Sequence, residues 1–310
     1  MIKVPTVLVL GAGASVPYGF PTGRTLTRII VESPEWRKRA IWAGVGEEVI
    51  KDFVEIFKRS QLYSVDKFLM LQPEYENVGK AAIASVLTEF ENSDKLSPNE
   101  QGEDNQADHW YQYLWNCLIT DWEKFKENKL SIVTFNYDRS LEQYLFQAAL
   151  HTFHGRRVAE CKSLVESIPI IHVYGDLGKL GESDGQNSSR PYRSLPTDAG
   201  TLLRELRLAI SRIRVVGQRT DSDEHLSKIH GALASAERIC FLGFGFEETN
   251  LQLLKIERLF QENKLRRFFG STLGLADAEV VLASSRCKTH KDFFSPQYCM
   301  DFLRTHGVLI

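Results

Sequence analysis

Four short apolar runs, set far apart, constrain this chain most: Val4 to Leu10 (VPTVLVL), Ser131 to Phe135 (SIVTF), Ile168 to Tyr174 (IPIIHVY) and Arg238 to Leu242 (RICFL). Each is apolar almost throughout and too short for a typical helix, as a strand is when both faces of its sheet are covered. Between them, in Asp52 to Ser60, Lys80 to Phe90, Leu141 to Leu150 and Thr201 to Val216, apolar residues recur three or four apart, the period of a helix. The alternation predicts an α/β fold, a parallel sheet with helices on both faces. The interval from Arg24 to Lys129 is too long for one crossover helix and holds at least three helical stretches. It reads as a mostly helical insertion, about residues 30 to 129, in a single domain spanning 1–310. Glu91 to Asp108 and Gly181 to Pro196 are polar and without periodicity, and read as exposed, mobile loops.

With 310 residues, 43% of them apolar, the chain can bury a sizeable core, which excludes a disordered or fibrous class. Lys plus Arg total 38 against 40 Asp plus Glu, so no global positive field draws the chain to nucleic acid or an anionic membrane. The five cysteines are scattered, odd in number and without a C-x-x-C pair, which points to a reducing cytoplasm. Val4 to Gly23 is uncharged, and Ala12-Gly13-Ala14 imitates a signal-peptidase site, yet only Lys3 precedes the run and Pro5, Pro17, Pro21 and four glycines break it. That is a poor secretory signal and no membrane helix. Cys287, His290, Cys299 and His306 match no common zinc spacing, and no metal is expected.

Each predicted strand ends in a glycine or polar motif. The first leads into Gly11-Ala12-Gly13-Ala14-Ser15 and then Gly19-Phe20-Pro21-Thr22-Gly23 before a helical segment. Small residues there either make a tight turn or let backbone N–H groups reach a pyrophosphate, as in a Rossmann-like fold. A dehydrogenase would add an acidic residue at the end of a second strand about 20 residues on. Glu32 has that spacing but lies in a helical pattern, which disfavours that class.

Thr134-Phe135-Asn136-Tyr137-Asp138 stops a buried run in an amide and a carboxylate, either as helix caps or as site residues. The third run ends His172-Val173-Tyr174-Gly175-Asp176, where alternation would put His172 and Tyr174 on one face. His172 is then a core histidine or a base. The fourth run ends Gly243-Phe244-Gly245-Phe246-Glu247-Glu248-Thr249-Asn250, a turn that serves packing or a ligand. Ligands of open α/β sheets bind outside the carboxyl ends of the strands, where all four motifs fall.

Together with Ser64-Val65-Asp66-Lys67-Phe68-Leu69, these motifs resemble the sirtuin-like family over roughly residues 4 to 255, and its NAD-hydrolysing branch of bacterial antiphage defence more than the protein deacylases. A deacylase has a four-cysteine zinc module, a glutamine before the motif asparagine and an arginine after its Gly-Ile-Pro or Gly-Phe-Pro. Here the cysteines are unpaired in sequence, and Phe135 and Thr22-Gly23 stand at those places. The catalytic histidine of the family directly precedes a glycine. Tyr174 holds that place, with His172 two residues earlier, so either is the candidate base.

The resemblance implies an NAD+ glycohydrolase that releases nicotinamide and ADP-ribose, a regulated effector that depletes NAD during phage infection. Gly11, Ala12, Gly13, Ala14, Ser15, Phe20, Pro21, Thr22, Gly243, Phe244 and Asn250 would bind the dinucleotide. Asn136 would orient water and ribose, Asp138 would meet the carboxamide, and His172 or Tyr174 would act as base. A homo-oligomer and a ring-shaped ATPase partner of the DNA-translocase type are implied as well. The alternatives are a non-catalytic module that senses NAD or ADP-ribose, and a deacylase.

Overall fold

The structure, a computed structural model, describes residues 1–97, 109–181, 188–215, 224–263 and 265–310. Residues 98–108 and 182–187 of the two expected loops, and Val216, lie outside them. Among the described residues there are eight strands: β1 (Thr6–Leu10), β2 (Leu130–Thr134), β3 (Ile170–His172), β4 (Lys179–Leu180), β5 (Ser189–Arg190), β6 (Arg238–Leu242), β7 (Arg267–Ser271) and β8 (Phe294–Ser295). Six form one parallel sheet in the order β3-β2-β1-β6-β7-β8, while β4 and β5 pair separately. The expected α/β architecture is therefore present.

Within the sheet the first strand lies between the second and the fourth in chain order. That is the doubly wound arrangement in which a crevice opens where the winding reverses. The register also aligns the strand ends, because Leu10 faces Thr134 and Leu242, and Thr134 faces His172. Loops leaving these residues therefore emerge side by side. β1 is buried along its whole length, as its unbroken apolar sequence requires.

Between β1 and β2 the chain forms α1 (Gly23–Glu32), α2 (Glu35–Trp42), α3 (Glu47–Ser60), α4 (Val65–Leu71), α5 (Glu76–Leu87) and α6 (Trp110–Leu118). α5 is buried nearly all round, with Ala81 to Ala84 fully enclosed, and packs against α1, α2 and α3. α3 turns Ile50, Phe53 and Phe57 inward, and carries Glu47 and Glu48 in its first turn and Lys58 and Arg59 in its last, complementing the helix dipole. The remaining helices are α7 (Ser140–Thr152), α8 (Val158–Val165), α9 (Ala199–Arg212), α10 (Glu224–Ser235), α11 (Glu248–Leu253), α12 (Ile256–Glu262), α13 (Asp277–Arg286) and α14 (Cys299–Thr305).

The described parts of the two polar stretches are not exposed loops throughout. Glu91, Leu96, Arg190 and Tyr192 are buried, because the charges among them are paired inside the protein. No helix among the described residues is long and apolar enough to cross a membrane.

The β1 and β6 loops meet backbone to backbone. Gly243 has φ +56°, and a Cβ there would lie 2.0 Å from the Ala14 nitrogen; one on Gly11 would lie 2.5 Å from the Gly243 carbonyl oxygen. Gly243→Ala combines left-handed strain with a backbone clash, and should cost at least about 3 kcal/mol. Urea unfolding followed by tryptophan fluorescence checks this, and a loss below about 1 kcal/mol would refute the close approach.

Candidate functional site

The Gly11 to Ser15 turn opens a 3₁₀ segment, Ala12–Tyr18, rather than an α-helix. Most of its backbone donors are already engaged: Gly11 N–H donates to Leu242 O (3.0 Å), Gly13 N–H to Gly243 O (3.0 Å) and Ala14 N–H to Gly11 O (2.9 Å). Of the two expected roles, the tight turn therefore takes up most of these donors. The glycines serve first to let two loops touch, and a bulky residue at Gly13 would meet Gly243 Cα at 2.8 Å before it met any ligand. Ala12 and Gly13 are half-buried and reach the surface, and the Ala12 N–H has no acceptor among the described residues.

Phe20 is buried near Phe90, with ring centroids 6.3 Å apart, and Pro21 is half-buried. Thr22 is exposed and caps α1, its hydroxyl accepting from Thr25 N–H at 3.3 Å. Phe244 lies in an aromatic floor with Phe135 (5.1 Å) and Phe241 (5.3 Å).

Asn136 and Asp138 have different tasks. Asp138 is turned into the start of α7, accepting from Ser140 N–H at 3.1 Å and from the Ser140 hydroxyl. Burial pushes its carboxyl up, opposed by hydrogen bonds from Ser140 and Ser15. Asn136 caps nothing. Its NH₂ reaches across the crevice to Gly11 O (3.0 Å) and Ser15 Oγ (2.9 Å), which fixes the amide and leaves Oδ1 without a hydrogen bond from any described residue.

His172 and Tyr174 do not act on one face, because β3 stops at His172 and the chain turns, Gly175 N–H donating to His172 O (3.2 Å). The His172 ring lies between Asn136 O, 2.8 Å from Nδ1, and Glu142 Oε1 in the first turn of α7, 2.5 Å from Nε2. Burial alone would lower its pKa. The Glu142 carboxylate and, with smaller effect, Asp176 outweigh burial and push it up to about 9. At neutral pH His172 is an imidazolium that donates from both nitrogens, which argues against its expected role as a base. Tyr174 instead donates to Asn250 Oδ1 (2.5 Å) and packs on Phe135 (5.4 Å).

The ion pair makes stability depend on pH. With a folded pKa near 9 against an ordinary 6.5, the contribution is complete below about pH 6.5 and is lost as pH rises through 9. Thermal unfolding should therefore weaken over that interval, by up to about 3 kcal/mol. The slope should be much shallower in Glu142→Gln; an unchanged slope there would remove the pair as its cause.

The Ser64 to Leu69 motif includes Asp66 without giving it a role, and Glu91, Arg139 and Arg190 escape sequence reasoning altogether. Asp66, in the first turn of α4, lines a cleft with Ser64, Tyr174, Glu247, Thr249 and Asn250, and accepts from the Tyr137 hydroxyl. Arg139 donates to both oxygens of Glu91 (2.8 and 2.7 Å) and to the carbonyls of Gly178, Lys179, Arg190 and Pro191. Arg190 joins the same Glu91 carboxylate at 2.5 Å. This network ties the segment after β3 to the helical region beside Asp138. Only the position of Arg139, directly after a polar strand end, hints at it in sequence.

A wider surface hollow lined by Trp122, Lys126, Arg157 and Glu160 shares no residue with the strand-end loops, and its Arg157 and Glu160 pair with each other at 3.2 Å. No group of three or more His, Cys, Asp or Glu side chains among the described residues is arranged to hold a metal ion. Comparison with protein-family models and with curated protein sequences finds no match to this chain.

Proposed function

We propose that the crevice at the carboxyl edge of the sheet binds NAD+ and hydrolyses its nicotinamide–ribose bond, the activity implied by the resemblance to the sirtuin-like NAD-hydrolysing family. The observation that carries this reading is Asn136: an amide locked by Gly11 O and Ser15 Oγ at the winding reversal, with its acceptor oxygen left for a ligand. Loss of nicotinamide leaves an oxocarbenium-like ribose. A fixed amide oxygen aimed at the attacking water or a ribose hydroxyl stabilises that charge without reorganising.

The Ala12 N–H would meet the pyrophosphate, and Asp138, in its buried recess, the carboxamide. Aromatic Phe135 and Phe244 form a dry floor beneath. A second reading has its own observation. His172 is charged and engaged at both nitrogens, and Tyr174 stands where the family has its histidine, which favours a module that binds NAD or ADP-ribose and signals without turnover. Deacylation would need a zinc module that the sequence lacks.

An NADase in a reducing cytoplasm must be restrained, so a homo-oligomer, or a complex with a ring-shaped ATPase, would control it. Exposed Leu273, Val281, Leu282 and Tyr298, carried around the β7–β8 edge, offer apolar area for assembly. The test is to incubate the protein, alone and with a candidate partner, with NAD+ and follow nicotinamide by chromatography. Release of nicotinamide with equimolar ADP-ribose supports the hydrolase. Calorimetric binding without release under every condition supports the sensing module, and no binding at all refutes both.

A further inference from the structure

If His172 is held as a cation, hydrolysis needs another proton acceptor. Tyr174 already donates to Asn250, and Asp138 is turned to Ser140 and Ser15. Asp66 differs from both. It is recessed yet lines the cleft that Tyr174 and Asn250 also line, and apart from its own backbone N–H its one hydrogen-bond partner among the described residues is the Tyr137 hydroxyl. Tyr137 follows Asn136 directly, so the segment that aims the amide also fixes this carboxylate. Burial, helped by the nearby Glu247, pushes the Asp66 carboxyl up, against the pull of Tyr137. That is the direction which brings a carboxylate toward proton exchange near neutral pH.

Resting on the NAD+ hydrolase reading, we propose that Asp66 is the catalytic proton acceptor. Its carboxylate takes a proton from the water whose oxygen bonds to C1′ of the nicotinamide ribose. The C1′–N bond breaks, its electron pair passes to the ring nitrogen, and neutral nicotinamide and ADP-ribose leave. Asp66 then returns the proton to solvent at the mouth, where Lys67 and Glu247 are exposed.

The experiment measures NAD+ affinity by calorimetry and kcat against pH for the full chain, with its partner where one is needed, in wild type, Asp66→Asn and Tyr137→Phe. Asp66→Asn should keep affinity within about threefold and lose about 10²- to 10⁴-fold in kcat, together with the acid limb of the profile. Tyr137→Phe removes the bond that lowers the Asp66 pKa, so it should move that limb to higher pH. This second variant decides the matter even where Asp66→Asn fails to fold. A folded Asp66→Asn with wild-type turnover, or an unmoved limb in Tyr137→Phe, overturns the assignment while leaving the hydrolase reading intact. A wild type that never releases nicotinamide overturns that reading and this assignment with it.

Discussion

Arg139→Met should lower the free energy of unfolding by about 3–5 kcal/mol, the cost of leaving a buried charge without its partner. Arg139 and Glu91 are 2% and 1% exposed, so neither charge can turn to water when the other is lost. Arg190 remains on Glu91 at 2.5 Å, but its guanidinium lies within 3.9 Å of Glu205 as well and cannot replace the two-oxygen fork that Arg139 supplies. Four carbonyls, those of Gly178, Lys179, Arg190 and Pro191, lose this donor in the same step. Arg139→Lys should recover only part of the loss, because an ammonium has three donors and no planar fork. Urea unfolding of both variants provides the measurement. If Arg139→Met lies within about 1 kcal/mol of wild type, the network does not hold this region together.

Runs that are apolar on both faces announce themselves, and so β1, β2, β3 and β6 are legible before any coordinates. β7 is not, since Arg267-Phe268-Phe269-Gly270-Ser271 mixes a charge, a glycine and a hydroxyl, and β8 has two residues, too few to show any period. Strand ends are legible for a different reason: the pattern changes there from a buried run to polar residues, which marks Asn136, His172 and the Gly243 loop. The partners of those residues are not, because pairing is a property of space. Asn136 bonds a carbonyl 125 residues away, and Glu91 is joined to Arg190 across 99.

A polar tract such as Glu91 to Leu96 looks the same in sequence whether its charges face water or each other. The same limit explains the glycines. Their spacing correctly marks a place where backbones come close, but the first neighbour they approach is Gly243 of the same chain. His172 shows it again, since a histidine at a strand end becomes a base or a brace according to what lies beyond its second nitrogen. Here that is Glu142, thirty residues earlier on α7.

Asn136→Ala should reduce nicotinamide release by about 10²- to 10³-fold, the loss expected when a preorganised dipole is removed from developing charge. The structural cost should be smaller, about 1–3 kcal/mol, because two side-chain hydrogen bonds go while the backbone carbonyl that holds His172 stays. NAD+ affinity should change little, since the alanine fills no space and the Ala12 turn is untouched. Asn136→Asp makes the more discriminating comparison. It keeps an acceptor oxygen, but a carboxylate cannot donate to Gly11 O, and the carbonyl now repels it. The oxygen is therefore freed from its orientation, and turnover should fall although an acceptor remains. If Asn136→Asp retains wild-type turnover while Asn136→Ala does not, an acceptor alone suffices and the lock on Gly11 and Ser15 has no catalytic meaning. If Asn136→Ala, folded and bound to NAD+, turns over at the wild-type rate, the amide is not part of the chemistry and the reading built on it fails.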